Sequence, residues 1–121
     1  MNLTLLVGPP GTGKSKAIRE RYLKVAPRAI FLDGHHSVEV VRQIRHEMGF
    51  FDHRYLPCSP TNLRSELEKI KDEQEIFIDM PDLSPDEMRE ILRLAEGKDW
   101  HFTITAHAVP AGLEGAEIIE L

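Results

Sequence analysis

The residues Gly8-Pro9-Pro10-Gly11-Thr12-Gly13-Lys14-Ser15 follow directly on an apolar run, Leu3-Thr4-Leu5-Leu6-Val7, and directly precede a helix-like stretch. A chain written this way puts a strand, a tight loop and a helix in immediate succession, and the loop has the G-x-x-x-x-G-K-[ST] spacing of a phosphate cradle. Such a loop aims backbone N–H groups inward at a helix N-terminus, where the helix dipole also favours an anion. Gly8, Gly11 and Gly13 allow backbone angles and a close approach that a β-carbon would block. Pro9 and Pro10 have no N–H, so the donors come from Gly11 onward, through Thr12 and Gly13. Pro10 also holds Pro9 extended and stiffens the mouth of the loop. Lys14 is expected to reach the β- and γ-phosphates of a nucleoside triphosphate, and Ser15 to place a hydroxyl on Mg2+.

The length of 121 residues fits one domain over 1–121, burying about two thirds of its unfolded surface. The net charge of −5 argues against DNA binding over the whole surface, so any DNA contact is expected to be local. The lone cysteine, Cys58, excludes an internal disulfide and fits a reducing, cytoplasmic setting. No apolar stretch approaches a membrane span, and the N-terminal run is too short, with no basic segment before it, for a signal peptide.

Strands and helices are expected to alternate. Leu3–Val7 reads as a strand and Lys14 to about Ala26 as a helix, with Ile18, Tyr22 and Val25 at three-to-four spacing and Pro27 as its stop. Ala29–Leu32 is a buried strand closed by Asp33-Gly34. Ser37 caps a helix over Val38–Met48, with Val41, Ile44 and Met48 as its stripe and Gly49 as its end. Tyr55–Cys58 is ambiguous, because Pro57 demotes it to an edge strand or a loop. Ser59 is expected to cap a helix with Pro60 at its first position and Leu63, Leu67 and Ile70 inward. Ile76–Ile78 is a strand ending in Asp79. Ser84-Pro85-Asp86-Glu87 is a capping box that starts a helix to about Ala95, closed by Gly97, with Met88, Ile91, Leu92 and Ala95 inward. Trp100–Thr105 and Ala116–Leu121 are the last strands. This alternation predicts a three-layer αβα sandwich with a mostly parallel sheet of about five strands. Ligands in such sheets sit outside the carboxyl ends of the strands, where Asp33, Asp79 and Thr105–His107 join the loop.

The run Ile76-Phe77-Ile78-Asp79 puts an acid at a strand end, where it is expected to hold Mg2+ through its water shell opposite Ser15. Hydrolysis also needs a group that orients or deprotonates water. Asp82 is the preferred candidate and Asp33 the other.

The form GPPGTGKS, then IFID, then a strand ending FTITAH resembles the additional-strand P-loop ATPases, the group that includes AAA+ proteins and the FtsK–HerA-type DNA motors. The resemblance implies a P-loop NTPase fold with a strand inserted between the loop strand and the acidic strand. It also implies a polar sensor for the γ-phosphate at the end of the following strand, here Thr105 or His107. The catalytic set is then Lys14, Asp79, Asp82, Thr105 and His107, with Ser15 and Asp79 on the metal. AAA+ proteins usually carry a glutamate directly after the magnesium aspartate, whereas this chain has Met80 and then Pro81. The core is expected to lack the helical lid of AAA+ proteins, and Arg54, Arg64, Arg89 and Arg93 could serve as an arginine acting in trans. These departures read as a minimal ATPase core, and size alone suggests the kind small viruses or plasmids encode; the loop, the acid and the sensor-like strand on one rim suggest motor or assembly work as a homo-oligomer.

ATP is the expected nucleotide, because the guanine-specifying Asn/Thr-Lys-x-Asp pattern is absent; the nearest run, Gly97-Lys98-Asp99, lacks its first residue and spacing. His35-His36 is expected to sit in solvent, since no ligand-spaced Cys or further His supports zinc. The mixed charges of Arg64–Glu75 read as a solvated helix face. Two other functions compete: a small nucleotide kinase, whose mobile lid Arg42–Arg54 would have to supply although it reads as an ordered helix and a short loop, and a nucleotide-dependent binding module without turnover.

Overall fold

A computed structural model describes residues 2–26, 28–47, 49, 54–71, 75–113 and 115–121. Its elements, in chain order, are β1 (Asn2–Val7), α1 (Lys14–Val25), β2 (Ala29–Asp33), α2 (Val38–Glu47), β3 (Arg54–Pro57), α3 (Leu63–Glu68), β4 (Glu75–Asp79), α4 (Pro85–Leu94), β5 (His101–Ala106) and β6 (Glu117–Glu120). The strands form one six-stranded sheet in the order β3-β2-β4-β5-β1-β6. Every pairing is parallel.

The alternation of apolar side chains along the strands builds two cores. Leu5, Ile30, Leu32, Ile76, Ile78, Phe102 and Ile104 face α3 and α4, where Leu63, Leu67, Met88, Ile91 and Ala95 meet them. Leu6, Phe31 and Phe77 face the other way, onto Ile18 and Tyr22 of α1 and Val41 and Ile44 of α2. The result is a three-layer α/β architecture with α1 and α2 on one face and α3 and α4 on the other. No helix among the described residues is long and apolar enough to cross a membrane.

The sheet has six strands rather than about five, because residues 54–57 do pair. Ile30 to Asp33 run in register with Arg54 to Pro57. Pro57 is tolerated because β3 is the outermost strand and the proline ends it. The following helix starts later than expected. Asn62, not Ser59, stands at its N-cap, and the Asn62 side-chain oxygen accepts from the Ser59 N–H at 2.8 Å. That bond closes Ser59–Asn62 as a turn, so Pro60 lies ahead of α3. Val25, expected to face inward, is exposed at the end of α1. The capping box of α4 forms as expected, with Glu87 N–H donating to Ser84 Oγ at 3.1 Å and Ser84 N–H to Glu87 Oε1 at 2.9 Å. Pro27, Met48 and residues 72–74, on which expectations about helix ends and a charged face fall, lie outside the described residues; so do residues 50–53 of the supposed lid.

Because all strands run the same way, β1, β2, β4 and β5 end on one rim, at Val7, Asp33, Asp79 and Ala106. β5 lies between β1 and β4, where the resemblance puts an inserted strand.

Candidate functional site

The loop leaves β1 at Gly8, whose N–H donates to Ala106 O at 3.2 Å, and enters α1 through Gly13. Gly11 and Gly13 both have left-handed backbones, with φ of 84° and 85°. An L side chain there is strained, so the tight turn into the helix depends on these glycines. The Thr12 hydroxyl donates to Pro9 O at 2.8 Å and ties the mouth of the loop to its base.

Lys14 is buried, and its Nζ donates to Gly8 O and, at 2.9 Å, to Pro9 O. The loop therefore wraps its own cation. Ser15, one residue on, donates its hydroxyl to Asp79 Oδ2 at 2.7 Å. The other oxygen of Asp79 accepts from the Thr105 hydroxyl at 3.0 Å. Asp79 is 1% exposed and Thr105 is fully buried. Strand alternation explains the set: Phe77 and Asp79 point to the α1 face, and Ile78 and Met80 to the opposite core.

Thus Lys14, Ser15, Asp79 and Thr105 share one buried cluster. Asp82 and His107 do not join it by any hydrogen bond among the described residues. They pair with each other, His107 Nε2 to Asp82 Oδ1 at 2.9 Å, with the Asp82 side chain 90% exposed. Both line a cleft with Pro81, Met88 and Val109 that no residue of the phosphate loop lines.

Asp33 is the second buried carboxylate. It is the register partner of Asp79 on the neighbouring strand and has no exposed surface. Its Oδ1 accepts from the His35 and His36 backbone N–H groups, both at 2.9 Å. Its Oδ2 accepts from the Tyr55 hydroxyl at 2.7 Å and lies 2.9 Å from His36 Nδ1. Those four contacts use the four lone-pair positions of a carboxylate. Burial acts to raise the pKa of Asp33, but the Tyr55 hydroxyl and the His36 backbone and ring bonds outweigh it and hold the acid below its usual range. Tyr55 is set by stacking on Phe31, with ring centres 4.3 Å apart and planes 11° from parallel.

His36 is therefore not a free solvent histidine. Asp33, His36 and Asp79 each bring one potential ligand atom within 4.8 Å of the others. Sequence reasoning missed His36 and Tyr55. The Asp33-Gly34-His35-His36 turn carried a usable signal, since an Asp side chain commonly accepts from backbone N–H groups two and three residues on. Tyr55 carried none, because its role arises from strand pairing.

Two buried carboxylates on adjacent strands form a site that attracts cations. Ser15 and Asp79 suit a magnesium ion: the serine proton is turned to the carboxylate, which leaves hydroxyl lone pairs for a hard cation, and Asp79 can accept from metal-bound water.

No family model matches this chain, and no curated protein matches it.

Met80, at the position of the glutamate of AAA+ proteins, is 3% exposed in the α3/α4 core. A β-carbon on Gly34 would lie 2.5 Å from Met80 Cγ, so the absent side chain at position 34 is what admits the methionine. A carboxylate at position 80 would be driven into apolar surroundings.

Proposed function

We propose that this chain is a P-loop NTPase core of the additional-strand type that binds ATP with Mg2+ at Gly8–Ser15 and hydrolyses it. The observation that carries the reading is the Ser15–Asp79 bond, which joins the phosphate loop to the acid at the end of β4. The place of β5 between β1 and β4 supports the same reading.

In this reading the loop N–H groups from Gly11 onward and the start of α1 hold the phosphates. Lys14 exchanges its bonds to Gly8 O and Pro9 O for phosphate oxygens. Ser15 and Asp79 hold the magnesium, which when bound neutralises charge on the phosphates. Thr105 acts through Asp79, fixing the carboxylate plane so that the other oxygen stays on Ser15. The exposed Asp82–His107 pair, which has no hydrogen bond to the buried cluster among the described residues, has no role in holding the nucleotide in this reading. Oligomeric work, with a local DNA contact and an arginine in trans, belongs to the same proposal.

One observation favours a second reading. The buried Met80 removes the usual water-activating acid, which fits a nucleotide-dependent binding module.

The test is ATP binding and Mg2+-dependent phosphate release, with and without single- and double-stranded DNA, read beside oligomeric state. Phosphate release by the wild type and none by Lys14→Ala supports the proposal. ATP-dependent assembly without release replaces it by the binding module. Release only on addition of a nucleoside monophosphate replaces it by a kinase. Absence of ATP binding removes all three.

A further inference from the structure

Among the described residues, no carboxylate of the buried cluster stands free to take a proton from water. Asp33 is enclosed, and all four of its lone-pair positions are used. Met80 is in the core. Asp82 is a surface residue bonded to His107. A different group stands next to the buried carboxylates.

We propose that His36 is the proton acceptor for the water that attacks the γ-phosphate, with Asp33 and Tyr55 as its positioning residues. The inference rests on the reading of the loop as an ATP hydrolysis site. Its geometry is a relay: the Tyr55 hydroxyl donates to Asp33, and Asp33 accepts from His36 Nδ1–H. A carboxylate partner selects the tautomer with the proton on Nδ1 and leaves Nε2 as the basic nitrogen. Nε2 has no hydrogen bond among the described residues. The side chain is 24% exposed, so water reaches it, and a ring nitrogen lies within 4.8 Å of the Asp79 carboxylate. Tyr55 cannot drift, because it is buried and stacked on Phe31. The ring is thus held at the same rim as the phosphate loop by a chain of bonds anchored in the core.

The step balances. The water oxygen bonds to the γ-phosphorus, the bond from that phosphorus to the β,γ-bridging oxygen breaks, and ADP leaves with the electron pair. The water proton goes to His36 Nε2 and then to solvent at the exposed edge of the ring.

The deciding experiment compares wild type, His36→Asn and His36→Ala for ATP affinity and turnover, with and without free imidazole. Asparagine keeps a donor for Asp33 but has no base. We expect both variants to bind ATP as the wild type does and to lose turnover by about 100-fold or more. Imidazole should restore part of the turnover of His36→Ala and leave the wild type unchanged. Turnover at the wild-type rate in His36→Asn overturns the inference while the ATPase reading stands; if Asp82→Asn then loses turnover, the base is Asp82. Loss of ATP binding in His36→Asn, or a turnover loss that imidazole cannot restore in His36→Ala, also overturns it. A wild type that binds no ATP or releases no phosphate overturns the reading beneath it instead.

Discussion

The Ser15 hydroxyl donates to Asp79 Oδ2 at 2.7 Å, although 64 positions separate the two residues. That bond joins the first turn of α1 to the end of β4, and Thr105 completes it from β5. It makes the glycine-rich loop and the acidic strand end one unit. Replacing Ser15 by Ala leaves a buried carboxylate oxygen without its donor. The expected cost is about 1.5–3 kcal/mol of folding stability, the range for a hydrogen bond to a charged group. Chemical denaturation measures it. In the proposed ATPase the same variant also loses the Mg2+ dependence of turnover, while Ser15→Thr keeps both.

Lys14 binds the carbonyls of Gly8 and Pro9. In the proposed ATPase, Lys14→Ala should abolish ATP binding and turnover together rather than turnover alone. Titration with a fluorescent ATP analogue checks this, and a variant that binds normally refutes the role given to the lysine.

Tyr55 and Asp33 make stability depend on acid. The folded pKa of Asp33 lies below its unfolded value, which is about 3.9. Its stabilisation is thus fully present above the unfolded value and lost as pH falls through the folded one. His36, Asp79 from β4 and Arg19 from α1 are the other titratable or charged groups around this hydroxyl–carboxylate pair. Tyr55→Phe removes one of the bonds that lower the pKa, so its acid unfolding midpoint should move to higher pH. At neutral pH it should cost about 1–3 kcal/mol. Circular dichroism over an acid titration of both proteins reads the shift.

Met80→Glu would place an acid directly after Asp79, yet its side chain would enter the core beside Gly34. An unpaired buried charge costs about 3–5 kcal/mol. The variant should unfold at much lower urea than the wild type and gain no turnover.

Burial pushes the Cys58 thiol up to about 12, with the charge of Glu66 adding to the effect. The thiol also lies 3.2 Å from Asn62 Oδ1. Cys58 should react with a disulfide reagent only as fast as the protein opens. Reaction at the rate of a free thiol, without denaturant, would contradict this burial.

Much of the architecture was legible because it rests on local rules. Ser84 and Glu87 announce a helix start through bonds only three residues apart. Ile76–Asp79 announces a buried strand by composition. Residues 54–57 were ambiguous because Pro57 is compatible with an edge strand or a loop, and the choice depends on β2 being free to pair. The start of α3 was misplaced because Ser59-Pro60 is a good helix opening in isolation, while the Asn62 side chain closes those residues into a turn.

By itself, the sequence determined which groups stand at the first strand–loop–helix junction: three glycines, a lysine and a serine between an apolar run and a helix, with an acid at the end of a later strand. Backbone preference and side-chain type suffice for that. Only the tertiary structure decided which polar groups share the rim. Thr105 rather than His107 meets Asp79, Asp82 goes to the surface, and Tyr55 and Asp33 capture His36. The reason is that parallel pairing brings strand ends distant in sequence into neighbouring positions. Side chains buried there must find donors and acceptors from whichever strands lie beside them.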